Sequence, residues 1–409
     1  MKVLFVAPEQ PTAKSGRPYQ FIKSLFGQGH EVTLVCQSAR DGDADISTSP
    51  DLVSLCAGVH VVPFSRSEAL VQCAKHLATS IPLWPASHFS SALESTIDQL
   101  LTENEFDIAH VSDLRCASFG RRINGRIPVI YDTEYCISEV DSQLVDESSL
   151  SSFGGFFTRN EQSKLRRYEP KVASMFDRVI TSTLTDKQAL KNLAAKIDTN
   201  LKIDVVPNGV DLSVYYPVEA APTPGNIVLS GKLYYEANRD ASYYFASEIF
   251  PGIRQTHPTS YMTFVGPVFM QGSRYTVPTG PGIEVLEDVA DIRIPFFTAA
   301  IIACPIREGV GTKTNILEAM AMSKAVISSP LGTRSLFNPK IGECIVVADT
   351  PLSFATQIVH LLSHPEEVAR LAQNAREYVE KNHDWVVIGK RLVRIYEEVI
   401  EQDKRQEAA

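Results

Sequence analysis

The stretch Pro305-Ile306-Arg307-Glu308-Gly309-Val310-Gly311-Thr312-Lys313-Thr314-Asn315-Ile316-Leu317-Glu318-Ala319-Met320-Ala321 decides how the chain is read. An apolar run ends at Pro305, a glycine-containing loop turns, and a helix is expected from about Thr314 with Thr312 as its cap. A helix N-terminus presents free backbone N–H groups and a partial positive charge. Gly309 and Gly311 let a phosphate approach that backbone closely, and Lys313 adds a full cation. Glu318 falls just over one turn into the helix, where it would not help a phosphate but suits the two adjacent hydroxyls of a ribose. The same strand, loop and helix also occur in α/β proteins that hold no ligand, so spacing alone leaves both readings open.

On both sides of this stretch, short runs rich in Val and Ile alternate with segments of helical period, which is the pattern of parallel sheets with crossover helices. Strands are expected over 3–8, 31–36, 59–63, 107–111, 129–132, 179–182 and 203–207, with a helix over 19–28 stopped by Gly29. After the proline-rich Tyr216-Pro217-Val218-Glu219-Ala220-Ala221-Pro222-Thr223-Pro224-Gly225 the pattern restarts over 227–230, 261–265, 283–286, 300–305, 325–329 and 344–347. A chain of 409 residues suits two α/β domains of about 200 residues each. The reading is an N-terminal domain over 1–214, a linker over 215–225, a second domain over 226–384 and a terminal helix and tail over 385–409. Open α/β sheets bind ligands at the carboxyl ends of their strands, so a site in a cleft between two facing domains is expected.

Composition narrows the classes. Hydrophobic residues at 44% and charged residues at 21% are ordinary globular usage, and a net charge of -9 gives no whole-surface attraction to nucleic acid or anionic lipid. The seven cysteines are scattered and never form C-x-x-C, which reads as reduced thiols in a cytoplasmic protein. The opening run Val3-Leu4-Phe5-Val6-Ala7 stops at Pro8, too short for a signal peptide, and no apolar segment approaches the roughly 20 residues of a membrane span. Asp41-Gly42-Asp43-Ala44-Asp45 looks like a D-x-D metal site or a calcium loop. The calcium reading fails at Ile46 and Leu52, and a polar loop is the wrong place for D-x-D, so a solvated turn and no metal are expected. Segment 156–169 mixes aromatics with Arg159, Lys164, Arg166 and Arg167. It reads as a structural helix, with contact to an anionic acceptor or to the inner face of a membrane as the other reading. Ile81-Pro82-Leu83-Trp84-Pro85 likewise reads as packing, or as an interfacial loop or acceptor wall. Neither G-x-S-x-G nor H-E-x-x-H is present.

The stretch around Lys313 resembles the donor loop of the retaining glycosyltransferases of family 4, of the GT-B fold, in the branch with G-T-K-x-x-x-L-E-A. Pro207-Asn208-Gly209-Val210-Asp211 is similar to the P-N-G-V-D before that family's linker. Ser230-Gly231-Lys232-Leu233 with Tyr235 and Asn238-Arg239-Asp240-Ala241 resembles the segment opening its donor domain. Ala325-Val326-Ile327-Ser328-Ser329 and the region from Trp385 through Glu398 look like its later strand and final helix. These matches run in family order across nearly the whole chain.

The resemblance implies two Rossmann-like doubly wound domains, with the C-terminal helix returning to the first. It also implies a metal-independent enzyme needing no cofactor beyond its nucleotide-sugar co-substrate. The sugar would pass to a hydroxyl of a glycan, a lipid-linked or a small-molecule acceptor. Glu318 is carried over as the ribose ligand, Lys232 as the basic residue after the first donor-domain strand, and Gly309, Val310, Gly311, Thr312 and Lys313 as the loop around the diphosphate. Two cations and a helix terminus would offset the charge on a departing nucleotide diphosphate. Glu308 takes the place of the family's first, sugar-binding glutamate, although it stands ten residues before Glu318 where the family has eight; eight before is Val310. Gly16 and Arg17, in Lys14-Ser15-Gly16-Arg17, lie where the family has a loop touching donor phosphates or acceptor, or else form a turn. His110 is either a sugar contact or a structural residue, since the second place of the family's H-x-H is Ser112 here. Asp132 and Glu134 either serve the acceptor or cap a helix. A nucleotide-sugar 2-epimerase of the same fold and a partner subunit that has lost turnover are the competing functions.

Overall fold

In the computed structural model, seven parallel strands make the first sheet: β1 (Lys2–Ala7), β2 (Glu31–Gln37), β3 (Gly58–Val62), β4 (Ile108–Ser112), β5 (Val129–Glu134), β6 (Arg178–Thr181) and β7 (Ile203–Val205). Their order is β3-β2-β1-β4-β5-β6-β7, so the sheet reverses direction of growth between β1 and β4. The structure describes residues 1–12, 16–38, 50–138, 153–219, 221–270, 273–287, 289–309 and 313–407, without the side chains of 153–158 and 273. The Asp41 to Asp45 run and Lys14-Ser15 lie outside these residues.

The second sheet comprises β8 (Asn226–Ser230), β9 (Tyr261–Val265), β12 (Ile283–Leu286), β13 (Ile301–Cys304), β14 (Val326–Ser328) and β15 (Val346–Val347), and it repeats the plan. Its order is β12-β9-β8-β13-β14-β15, all parallel, with the reversal between β8 and β13. A separate two-stranded antiparallel hairpin, β10 (Phe269–Met270) with β11 (Ser273–Arg274), was not expected from the sequence, because two-residue strands carry no period. The fold class is thus α/β with two doubly wound sheets. The chain divides into one compact unit of Met1–Val206 with Ile388–Ala409 and another of Pro207–Val387. The C-terminal helix Trp385–Glu407 supplies buried Leu392, Ile395, Tyr396 and Val399 to the first unit.

The central strands β1, β4 and β13 are buried on both faces, as a sheet covered by helices requires. In the first unit Leu4 and Val6 pack with Leu93 and Ile97 on one face, while Phe5 faces Phe21 and His110 on the other. In the second, Val228 and Ile302 join Ile316 and Met320 on one side, and Ile227 and Leu229 join Phe245 and Phe354 on the other. Helices begin where a side chain satisfies an orphan N–H: Ser90 for Leu93, Thr183 for Asp186, and Thr350 in a reciprocal capping box with Ser353. The first helix runs Arg17–Gly27, two residues earlier than the sequence suggested. Pro18 occupies its first turn, where a missing N–H costs nothing. The helix after β13 is Thr314–Ala321 with Lys313, not Thr312, at the N-cap position, because the first helical residue is Thr314 itself. Among the described residues no helix is long and apolar enough to cross a membrane.

One backbone approach shapes the carboxyl edge of the second sheet. Gly266, at φ +150° after β9, lies so close to Gly231 after β8 that an added Cβ would fall 2.0 Å from the Gly231 carbonyl oxygen. We expect Gly266→Ala to destabilise the protein by about 2 kcal/mol or more, through strain and overpacking together. Gly342→Ala adds a Cβ with nothing within 4 Å at a φ of +79°, also positive, and should cost only about 1 kcal/mol. Denaturant titration of the pair separates the close approach from the backbone term.

Candidate functional site

The loops after β8 and β13 meet at the reversal point of the second sheet, and several contacts hold them there. Asn315, in the first turn of Thr314–Ala321, donates its side-chain N–H to the Ser230 carbonyl at the end of β8 (2.9 Å). Arg307 after β13 pairs with Asp240 (2.9 Å) in the helix Glu236–Tyr244 and lies 4.1 Å from the Tyr244 ring centroid. This pair ties the Asn238-Arg239-Asp240-Ala241 motif to the Arg307-Glu308 loop, a connection absent from the linear pattern. Gly309, at φ +92°, is closed in between the two: a Cβ there would meet Ala237 at 3.1 Å and the Lys313 ammonium at 3.4 Å. Gly309 therefore lays bare backbone beside a cation.

Around this junction Lys232 and Glu308 are exposed, while Lys313 is partly buried. Burial lowers the Lys313 pKa, against an opposing influence of the nearby Cys304 thiol, whose own pKa burial pushes up to about 11. The Lys313 N–H donates to Ser335 Oγ (3.2 Å). The Lys232 ammonium lies 5.9 Å and 5.8 Å from the ring centroids of Tyr234 and Tyr235, and its carbonyl accepts from the Asn238 amide (3.1 Å). Val310, Gly311 and Thr312 lie outside the described residues.

Glu318 is set deeper on the same helix. Burial raises its pKa to about 7 even though the hydroxyls of Tyr215 and Thr314 donate to it. Burial and the Glu318 carboxylate together raise the Tyr215 phenol. The sequence had placed Tyr215 at the start of a linker; here it packs against the core of the second unit. Its part could not be read from the chain, since its partner is a hundred residues away and Tyr-Tyr-Pro reads as loop.

The candidates of the first unit form a different kind of group. Arg17 is 3% exposed and chelates Asp132 at the end of β5 (Nε to Oδ2 2.7 Å, Nη2 to Oδ1 3.1 Å), donates to the Val206 carbonyl (2.7 Å) and lies over Phe21 at 4.5 Å. Burial would raise the Asp132 pKa, but the Arg17 charge, the nearby His110 and the bonds from Arg17 win and lower it to about 2. His110 is fully buried, stacked on Phe5 at 4.3 Å, with the Tyr396 hydroxyl 2.7 Å from Nδ1 and Asp132 3.7 Å from Nε2. Burial lowers its pKa. Burial favours the neutral ring, which shares a hydrogen bond with the Tyr396 hydroxyl at Nδ1, while Nε2 faces Asp132 beyond hydrogen-bond distance. Arg17, Asp132 and His110 are thus brought together inside the unit, each already engaged by the protein, and not on a surface. Gly16 is exposed at φ +75° beside them, and Glu134 is partly exposed.

Glu134 at φ +56° and Asp113 at φ +74° end β5 and β4 in left-handed conformations that side chains seldom adopt. Asp113 is chelated by Arg115 (3.0 Å and 2.9 Å), which also reaches Glu9 after β1 (2.9 Å). This ionic cluster at the reversal point of the first sheet was not found from the sequence, since Glu9 and Arg115 carry no motif.

Two family models match the chain: "Glycosyltransferase Family 4" over residues 18–214 and "Glycosyl transferases group 1" over residues 224–364. The phosphatidyl-myo-inositol mannosyltransferase of Mycobacterium leprae is 23% identical over 428 residues, covering 100% of both chains. A protein of the cps region of Klebsiella pneumoniae is 22% identical over 172 residues, which is 39% of this chain and 42% of that one. Among solved structures, Anabaena HepE in complex with UDP superposes with a TM-score of 0.62 at 14% identity, over 97% of this chain and 100% of that one.

Removing one member of a buried ion pair leaves the other uncompensated, so Asp132→Ala should cost about 3–5 kcal/mol. Because the folded pKa of Asp132 is depressed to about 2 from 3.8, its contribution is complete above the unfolded value and is lost as pH falls through about 4 to 2. Acid titration of unfolding should show this loss in the wild type and its absence in Asp132→Ala.

Proposed function

Since the chain belongs to the family 4 glycosyltransferases, we propose that it moves a sugar, with retention at the anomeric carbon and without a metal ion, from a nucleotide diphosphate to an acceptor hydroxyl. The observation that carries this reading is the junction at the reversal point of the second sheet, where bare Gly309 backbone, the Lys313 ammonium and the buried Glu318 carboxyl belong to one loop and helix. The complex of Anabaena HepE with UDP, a structural neighbour, supports a nucleotide-diphosphate donor.

In this reading the diphosphate lies against Gly309 and Lys313, with Lys232 as a second cation, and Glu318 accepts from the ribose hydroxyls. As the bond from the anomeric carbon to the phosphate oxygen breaks, negative charge collects on the diphosphate, and the two cations stabilise it more than they stabilise the bound donor. The acceptor oxygen bonds to the anomeric carbon from the face the phosphate leaves, and its proton passes to that phosphate, so no separate base is required. Glu308, exposed at the rim of the same loop, is the carboxylate that positions the sugar. Arg17, Asp132 and His110 act by fixing the first unit rather than by touching the reacting atoms.

The burial of His110 also favours the reading of a subunit that binds nucleotide without turnover. A thermal-shift panel of UDP, GDP, ADP and TDP followed by turnover of the matching sugar nucleotides separates the two: binding without product, undiminished by Glu308→Ala, would sink the enzyme reading.

Two further outcomes are expected. Lys313→Ala should lower kcat by about a hundredfold or more, as loss of a transition-state charge contact does. Glu318 must be ionised to serve as a double acceptor, and its pKa of about 7 means that donor binding takes up the cost of releasing a proton. Affinity for a sugar nucleotide, whose phosphates do not titrate near neutrality, should therefore rise about tenfold per pH unit below 7 and level off above it. Glu318→Gln should bind weakly and flatten this profile in calorimetric titrations.

A further inference from the structure

The two residues before the proline-rich stretch, Val214 and Tyr215, are held by their backbone from two directions. Arg293 of the helix Arg293–Thr298 donates to the Val214 carbonyl (2.8 Å) and lies 5.8 Å from the Tyr216 ring centroid, while Asp291 chelates it (2.8 Å and 2.7 Å). Arg376 of the helix Pro365–Asn382 donates to the Tyr215 carbonyl (3.1 Å). From the same nitrogen it donates to the carbonyl of Ala321 (2.5 Å), the last residue of the helix that carries Glu318. One guanidinium therefore joins the backbone of Tyr215 to the helix whose carboxylate its side chain meets. The ring packs against the core of the second unit, and the hydroxyl donates to Glu318. Ordering chain at the mouth of a linker costs conformational entropy, and two arginines on consecutive carbonyls offset it.

An ionised carboxylate has about four acceptor positions. At Glu318 the hydroxyls of Tyr215 and Thr314 fill two of them. Two remain, the number that the adjacent hydroxyls of a ribose require. Thr314 lies one turn before Glu318 on the same helix and moves with it. Tyr215 comes from a separate segment, so its hydroxyl fixes the carboxylate against the rest of the unit.

We infer that Tyr215 is a positioning residue of the donor site: its hydroxyl, framed by Arg293 and Arg376, holds the ionised Glu318 carboxylate with two acceptor positions left for the ribose. The inference rests on the assignment of Glu318 to the ribose and deepens it. A hydrogen bond to the charged form favours that form, so the phenol also lowers the pH at which the site becomes competent. It works against burial, which raises the carboxyl to about 7. Arg293 and Asp291 act on the phenol in opposite senses, the first lowering and the second raising its pKa, and Arg376 reaches backbone carbonyls. With burial and Glu318 raising it further, the phenol stays protonated, and a donor, at neutral pH.

Tyr215→Phe deletes the hydroxyl and keeps the ring. The Glu318 carboxyl, followed by ¹³C NMR of glutamate-labelled chain and identified by its absence in Glu318→Gln, should titrate about one pH unit higher in Tyr215→Phe. Calorimetry with UDP-glucose and with GDP-mannose should show affinity about fivefold lower at pH 7 and less than about twofold lower at pH 8.5, because the deficit is one of ionisation. In the Glu318→Gln background, Tyr215→Phe should change affinity at neither pH. A ring that merely fills space would leave the titration where it is. An unmoved Glu318 titration overturns the inference, as does an equal loss of affinity at both pH values. If Glu318→Gln binds both sugar nucleotides as the wild type does, the ribose assignment falls, whatever Tyr215→Phe does to the carboxyl.

Discussion

A parallel sheet that grows first to one side of its opening strand and then to the other must send two neighbouring loops away over opposite faces. The gap this leaves at the carboxyl edge is the constraint on which the rest of the molecule depends. In the second sheet β8 and β13 flank that gap, and the loops that leave it carry Lys232 on one side and Glu308, Gly309 and Lys313 on the other. The gap would close or wander without cross-links, and the Asn315 amide on the Ser230 carbonyl and the Arg307–Asp240 pair supply them. The same geometry in the first sheet gathers Glu9, Asp113 and Arg115. Placement follows topology here: the cations Lys232 and Lys313 stand where the reversal leaves the edge open.

How much could be read beforehand differs by type of information. Period and punctuation carried the strands, because buried parallel strands are short apolar runs between helical segments, and each expected strand is present within a few residues. The placement of Lys313 before a helix and Glu318 within it was readable because both belong to one local stretch. What could not be read is what joins distant chain. Arg17 looked like part of a turn because Gly16 and Pro18 flank it, yet Pro18 in the first turn lets the helix begin at Arg17 and turns its guanidinium inward to Asp132. Tyr215 met Glu318 for the same reason: neither carries a mark of the other.

Net charge is an average, and averages conceal arrangement. The chain is acidic overall, and the helix Phe153–Ala173 carries Glu161 and Glu169 among its basic residues. In three dimensions both carboxylates are consumed by backbone N–H groups, so the face left to solvent is purely basic. Buried acceptors that anchor loops thus also decide which sign the surface shows.

The contact between Gly231 and Gly266 separates two properties that loops usually couple. Beside the Asn315 and Asn238 amides that hold the chain after β8, its path is set where backbone rests on backbone. Lys232, Tyr234 and Tyr235 then stand on a fixed footing to which none of them contributes. Exchanging those side chains leaves the close approach of the two backbones untouched. The one position there whose side chain would strike backbone, Gly266, carries the close approach, and its neighbours carry the side chains.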